Sequence, residues 1–396
     1  MKRAFLLICA LALALSGCAP TASRIYDNRG TAVDADSGIF LPGAQWHDTD
    51  GALIQAHGGQ IQRMPVPDES GAPTEKYVWV GENKRSGHLG NSVAVYTSDD
   101  LLHWTCGGDA LRSVPTRAAL DTDPYFTSLY AGCTGAELDN VYAVLGSDKV
   151  IERPKMLYNE NTGKYVIWFH SDGFTDKTDY NIYDAGMSGV AISDSPFGPF
   201  RLIGRYRLNE CPAGQIDCYP LSKGEARDMN LFKDDDGTAY IVYASENNKT
   251  LYISKLNEEY TYLSAEPAKA VYGEDYIRLF PGSMREAPVL IKGDNGRYYL
   301  MSSSTTGWMS NQARAWSSDS ILGKWQNDGN PCKGEAANVT FDTQSTSIFR
   351  ALNGQWIYYG DRWNGENLED SRYIWLPIEF KNGRLTIRWQ SSWSLS

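Results

Sequence analysis

The sequence predicts an all-β fold, a five-bladed β-propeller, on three observations. A unit made of a polar residue, a short apolar strand, an Asn/Asp/Gly turn and an aromatic-rich second strand recurs at a nearly fixed offset. Glu286 precedes Tyr298 by twelve residues, Asp228 precedes Tyr240 by twelve, Gln344 precedes Trp356 by twelve and Glu152 precedes Tyr165 by thirteen. A second motif follows some copies: Thr97-Ser98-Asp99 before Trp104, Ile192-Ser193-Asp194 before Phe200, and Ser317-Ser318-Asp319 before Trp325. With a looser copy at Tyr77, successive second strands start 88, 75, 58 and 58 residues apart by subtraction of positions. One hairpin of this kind would suit a β-sandwich equally well. Five copies favour a propeller of four-stranded blades.

The elements follow in order. Residues 1–18 read as a leader: Lys2-Arg3, then an apolar run from Ala4 to Leu15 too short to span a bilayer. Leu15-Ser16-Gly17-Cys18 resembles a bacterial lipobox, which implies cleavage before Cys18 and its lipidation, hence an exported, membrane-anchored protein; an ordinary secretory signal is the alternative. Residues 19–36 are a polar tether, and 37–396 the propeller domain. Blade one begins at Gln55-Ala56-His57-Gly58-Gly59 and continues through Tyr77-Val78-Trp79-Val80. The second blade pairs Met156-Leu157-Tyr158 with Tyr165 to Phe169 across Asn161-Thr162-Gly163. Asp234-Asp235-Asp236-Gly237, Asp294-Asn295-Gly296 and Asn353-Gly354 supply the corresponding turns of the last three, where Asn and Gly tolerate positive φ. Trp389 to Leu395 is expected to close the ring on the N-terminal segment.

Export permits disulfides. Cys211–Cys218 closes a short loop and Cys106–Cys133 brackets an irregular insertion, so both pairs are expected to bond, leaving Cys332 as a buried odd thiol. Both insertions are expected to wall the pocket. A net charge of -11 and a pI near 5.0 argue against nucleic acid or an anionic membrane surface as partner. The 12 Trp and 24 Tyr suit stacking on a sugar, though composition does not separate that use from core packing.

Equivalent blade positions converge at one end of a propeller axis. The offset therefore gathers Glu152, Asp228, Glu286 and Gln344 from four blades, with Gln55-Ala56-His57 from the fifth. Each acid has an adjacent arginine, Arg153, Arg227 or Arg285, and singly each reads as a blade-capping ion pair. Three at matched positions point instead to a site, because clustered carboxyls cannot all stay freely ionised. Glycoside hydrolysis needs such a set: one neutral acid for the leaving oxygen and another group for water. Trp308 and Trp363 stand at strand ends and suit a sugar platform, with Tyr183 a weaker candidate. Asp361 and Arg362 are placed to read hydroxyls.

The segments Val150-Ile151-Glu152-Arg153-Pro154-Lys155, Ala226-Arg227-Asp228-Met229-Asn230-Leu231-Phe232, Arg285-Glu286-Ala287-Pro288 and Phe341-Asp342-Thr343-Gln344-Ser345-Thr346 resemble glycoside hydrolase family 43, and more narrowly its exo-β-1,3-galactanase branch. Gly81-Glu82, Thr306-Gly307-Trp308, Gly360-Asp361-Arg362-Trp363 and Asp370-Ser371-Arg372-Tyr373 are also similar. The resemblance implies an inverting exo-glycosidase that releases galactose from β-1,3-galactan. Glu286 would be the general acid and Asp228 the modulator of its pKa. Gln344 would be an unusual base in its imidic form, with Glu152 orienting the water or serving as base itself. His57, in the segment where the family carries its first-blade base, is a third candidate, although a histidine among glycines more often packs or hydrogen-bonds. Gln60 departs from the pattern, standing where a small residue is expected. No cofactor is expected and a central structural cation is not implied. A monomer is expected. Two other readings stay open: another family 43 activity, such as an α-L-arabinofuranosidase or β-xylosidase, and a sugar-binding lipoprotein without catalysis.

Overall fold

The computed structural model describes residues 33–34, 37–173, 181–220 and 222–395. The leader, Cys18 and nearly all of the tether therefore lie outside the described residues. Five antiparallel blades follow one another along the chain. Their innermost strands are His57–Pro67, Lys149–Asn159, Met229–Lys233, Arg285–Lys292 and Gln344–Arg350, each packed on the next around a ring that returns to the first. The predicted hairpins are present at the predicted places. Ring closure also follows the expectation: Phe40 pairs with Trp393 and Ile39 with Ser394. The Phe40 and Trp393 rings stack 4.4 Å apart, joining the two ends of the chain. Trp46, Trp79, Trp104 and Trp375 fill the core beside this seam, so much of the tryptophan content holds the fold rather than a ligand.

The Ser-Asp motif has a local cause. It ends the third strand of three blades, where the hydroxyls of Ser98, Ser193 and Ser318 accept backbone N–H groups two residues on, at 3.2, 3.1 and 3.2 Å. Such hydroxyl-capped turns mark the step to the outer strand.

Four innermost strands carry a bulge at their pocket ends: between His57 and Gln60, Glu152 and Lys155, Glu286 and Val289, and Ser345 and Ser347. Gly58, Arg153 and Ala287 take φ of 57°, 52° and 51° in three of them. An extra residue at these points turns the preceding side chain toward the axis. At Gly58 no other residue fits, since an added Cβ would stand 2.1 Å from Glu82 Oε1. Gln60 has a use that the sequence does not reveal. Its amide accepts from Met156 N at 3.1 Å and donates to Leu231 O at 3.4 Å, tying three innermost strands together. Deeper on the axis the Lys155 ammonium donates to Gly58 O at 2.6 Å and Arg153 O at 3.3 Å, and burial pulls its pKa down to about 7.

Two expectations fail here. The segment between Cys106 and Cys133 is not irregular but carries two short helices, Ala119–Thr122 and Pro124–Leu129, with a third, Gly135–Leu145, just beyond. These pack against the first two blades and contribute no residue to the pocket wall. Cys106 and Cys133 are both free thiols. Cys133 Sγ instead accepts from Arg201 at 3.2 Å, while Cys106 Sγ accepts from Gly108 N at 3.4 Å. In the short loop Cys211 is bonded to Cys218 as expected, but this loop too contributes no residue to the pocket wall; Cys332 is free and 2 % exposed.

Candidate active site

Glu152, Asp228, Glu286 and Gln344 meet in a hollow of about 350 Å³ at one end of the axis. A larger hollow of about 730 Å³ at the other end, bordered by Lys233, Lys292 and Arg350, contains none of these four. Trp308, Trp363 and Tyr183 line the smaller pocket as predicted. The Trp308 and Trp363 rings meet edge to face at 5.1 Å, with the Lys84 ammonium 5.6 and 5.7 Å from them. Such cation–π contacts on desolvated rings fix the platform as well as the charge.

Ion pairing separates the carboxylates. Lys84 Nζ lies 2.5 Å from Glu82, Arg153 Nε 3.4 Å from Asp228, and His170 Nδ1 3.6 Å from Glu152. Among the described residues no such partner stands beside Glu286. Burial, then the like charge of Asp228, push its carboxyl up to about 8, against the pull of Arg153. Glu286 is thus neutral at pH 7. Burial works the same way on Glu152, but His170, His88 and Lys84 overcome it and hold that carboxyl well below its usual range. Burial pushes Glu82 upward as well, with Lys84 opposing. Tyr183 hydroxyl donates to Glu152 Oε1 at 2.9 Å and His88 Nε2 lies 3.2 Å from the same oxygen. Asp228 Oδ2 accepts Ala287 N at 3.1 Å, one residue past the acid.

Gln344 is fully engaged. Its carbonyl oxygen accepts from Arg153 and from Trp363 Nε1, the latter at 2.8 Å. Its amide nitrogen donates to Glu286 Oε1 at 2.9 Å and to Ser303 Oγ at 3.1 Å. The opposite amide orientation would set donors against donors, so the contacts fix which end is oxygen.

Three expected site residues are not in the pocket. His57 is 0 % exposed, between Asp361 at 3.3 Å and the Tyr373 hydroxyl at 3.3 Å. Asp361, also 0 % exposed, accepts Gly58 N at 2.8 Å and the Thr346 hydroxyl. Arg362 donates to Phe341 O at 2.8 Å. Trp363, just past the end of the strand Trp356–Arg362, reaches the pocket, while Asp361 and Arg362, still within the strand, are held by these partners in the wall behind. Gln55 is likewise buried, donating to Glu369 O at 2.8 Å. Blade one supplies Glu82 instead, from its second strand, directly opposite His57 in the ladder. The reading of single strands also missed His88, His170, Asn247 and Asn248, which line the pocket from second strands and loops. Only Gly81-Glu82 carried a sequence signal, as a motif at the end of an aromatic strand.

Glu152, His170 and Asp228 bring one donor atom each within 4.8 Å of the others, a spacing that also suits a cation. Arg153 and His170 already set positive charge against these two carboxylates.

A neutral carboxyl facing an ionised one, above an aromatic platform in a hollow of sugar size, defines a glycoside hydrolase. The sequence matches the family described as Glycosyl hydrolases family 43 over residues 67–381, and the chain belongs to that family. No curated protein matches it. Among solved structures it is similar to a family 43 β-1,3-galactosidase determined with galactodeoxynojirimycin, at 32% identity and a TM-score of 0.71, covering 90% of this chain and 100% of that one. The exo-β-1,3-galactanase of Phanerochaete chrysosporium, determined with galactose, shares 31% identity at a TM-score of 0.67, covering 90% of this chain and 68% of that one. An exo-β-1,3-galactanase from Clostridium thermocellum shares 30% identity at a TM-score of 0.68, with 90% and 67% covered.

Proposed function

We propose that this hydrolase releases galactose from the non-reducing end of β-1,3-galactan with inversion at the anomeric carbon. The observation that carries the reading is the pairing of neutral Glu286 with the Gln344 amide in one pocket, in a chain about 30% identical to proteins named for that substrate. Glu286 protonates the leaving oxygen, and Asp228 keeps it protonated until then. Glu152 holds the attacking water as an ionised acceptor. Gln344 takes the water's proton. Because its oxygen already receives two N–H donors, the reactive form is the imidate rather than a neutral imidic acid. As Glu286 gives its proton to the leaving oxygen, one N–H proton of Gln344 passes to the carboxylate so formed, the negative oxygen rests on Arg153 and Trp363, and the nitrogen lone pair accepts from water. After one turnover Gln344 is again an amide and Glu286 is again protonated, having given one proton to the released saccharide and received one from Gln344.

On β-1,3-linked galacto-oligosaccharides, NMR of early product should show α-galactose formed first and mutarotation afterwards. β-Galactose as the first anomer would rule out inversion. Turnover of arabinofuranosides or xylosides in preference to galactosides would move the substrate to another branch of the family. The absence of any turnover would favour the sugar-binding lipoprotein.

The enzyme is proposed to work as a monomer held to a membrane through a lipid on Cys18, since Leu15-Ser16-Gly17-Cys18 has the lipobox pattern. The Cys18→Ser protein should leave the membrane fraction for the soluble one. Wild-type protein already soluble after export would refute the anchor.

A further inference from the structure

Behind Glu152 stands a histidine that neither the reaction scheme nor the sequence motifs use. His170 is the ladder partner of Glu152 on the second strand of blade two, and Asp172 follows on the same face. Asp172 is 0 % exposed and accepts Ala185 N, Gly186 N and His170 Nε2, each at 2.9 Å. Arg227 lies 3.6 Å from the same carboxylate. A carboxylate that accepts three N–H groups in this way requires the proton of His170 on Nε2. The other ring nitrogen, Nδ1, faces Glu152 Oε2 at 3.6 Å and Asp228 Oδ1 at 3.7 Å. A lone pair there would point at two carboxylate oxygens and be repelled by both. An N–H there is attracted by both.

We propose that His170, held as an imidazolium by Asp172, is a positioning residue that keeps Glu152 ionised and holds Glu152 and Asp228 in place beside the reacting sugar. The proposal deepens the reading of Glu152 as the water-holding group and rests on it. Of the remaining groups near the ring, Tyr183 stacks at 5.9 Å and donates its hydroxyl to Glu152, and His88 lies 2.7 Å from that hydroxyl. Arg153 meets Asp228 through its other oxygen, Oδ2, at 3.4 Å. Burial alone would drive the proton off His170, yet Asp172 and Glu152 raise its pKa to about 9. The ring does not act on substrate. It holds the two carboxylates that do, and keeps Glu152 charged.

The test combines spectroscopy with kinetics on the whole enzyme. With ¹⁵N-labelled histidine, one of the 5 rings should show both nitrogens protonated at neutral pH without substrate, and His170→Gln should remove that signal. In His170→Gln the acidic limb of kcat/KM should move up by about one pH unit as Glu152 loses its nearby cation. Its kcat should fall about tenfold with KM little changed. Asp172→Asn, which keeps the ring, should shift the limb the same way by less, and covers the case in which His170→Gln fails to fold. An unprotonated Nδ1 at neutral pH, or a loss of rate uniform in pH, would overturn the proposal. So would a requirement for a divalent cation abolished by chelation, because Nδ1 would then be a ligand. The ring signal is read without turnover, so it stands or falls independently of which glycoside the enzyme cleaves.

Discussion

Glu286→Gln is expected to lower kcat on an unactivated β-1,3-linked galactoside by about 10²–10⁴-fold while leaving the fold intact. Glutamine keeps the shape and can still meet Gln344 and Asn248, which stand 2.9 and 3.4 Å from the carboxyl oxygens. What it lacks is a transferable proton. An aryl galactoside, whose leaving group needs little protonation, should lose far less, and that contrast separates loss of the acid from loss of the site. In wild type the rate should fall as pH rises through about 8, where the buried carboxyl gives up its proton. Stability has the same sign. The folded pKa lies above the ordinary carboxylate value of 4.5, so the protonated form favours folding fully below 4.5, and that contribution is lost as pH rises through about 8. The Gln variant has no such loss, so above pH 8 it should melt higher than wild type, with the gap closing toward pH 4.5. A variant with near-normal rate on the unactivated substrate would mean that another residue protonates the leaving oxygen.

The sequence was most legible where a repeat carried the information. Glu152, Asp228, Glu286 and Gln344 sit at one position of a recurring hairpin, and rotational symmetry about the axis brings that position to one pocket. Residues outside the repeat were misread in both directions. His57, Asp361 and Arg362 look functional by type, but each is held by partners in the wall behind the pocket. Glu82 and His170 do the reverse. They lie on second strands, in ladder register with His57 and Glu152, and that relation appears only once strands are paired. Cys106 and Cys133 show a third limit. Two thiols flanking an insertion suggest a bridge, but the helices within it set where each sulfur points, and one meets Arg201 instead.

The largest remaining effect concerns the group that takes the water's proton. An amide N–H is a very weak acid, so Gln344 can serve only if its oxygen is stabilised as it becomes negative. The guanidinium of Arg153 and the indole N–H of Trp363 are aimed at that oxygen, and Glu286 is hydrogen-bonded to the nitrogen that must lose a proton. Gln344→Ala should therefore lose at least about 10²-fold in kcat, the typical worth of a general base. Gln344→Glu places a carboxylate where the nitrogen was, next to Glu286. It should keep measurable activity, and its basic limb should move upward, because a like charge in contact raises the acid's pKa further. Glu152→Gln should also be slow, but through weaker water binding, and azide should not restore Glu152→Ala. If Glu152 were the base, azide would rescue that variant with inverted product, and Gln344→Ala would retain near-normal turnover. Gln344 touches Glu286 at 2.9 Å, and passage of its N–H proton to that carboxylate needs the contact kept while sugar is bound. A complex with an unreactive galactoside in the Glu286→Gln variant should show positions 344 and 286 still in contact and a water between Gln344 and Glu152. A contact broken by the sugar would remove Gln344 from the proton transfer.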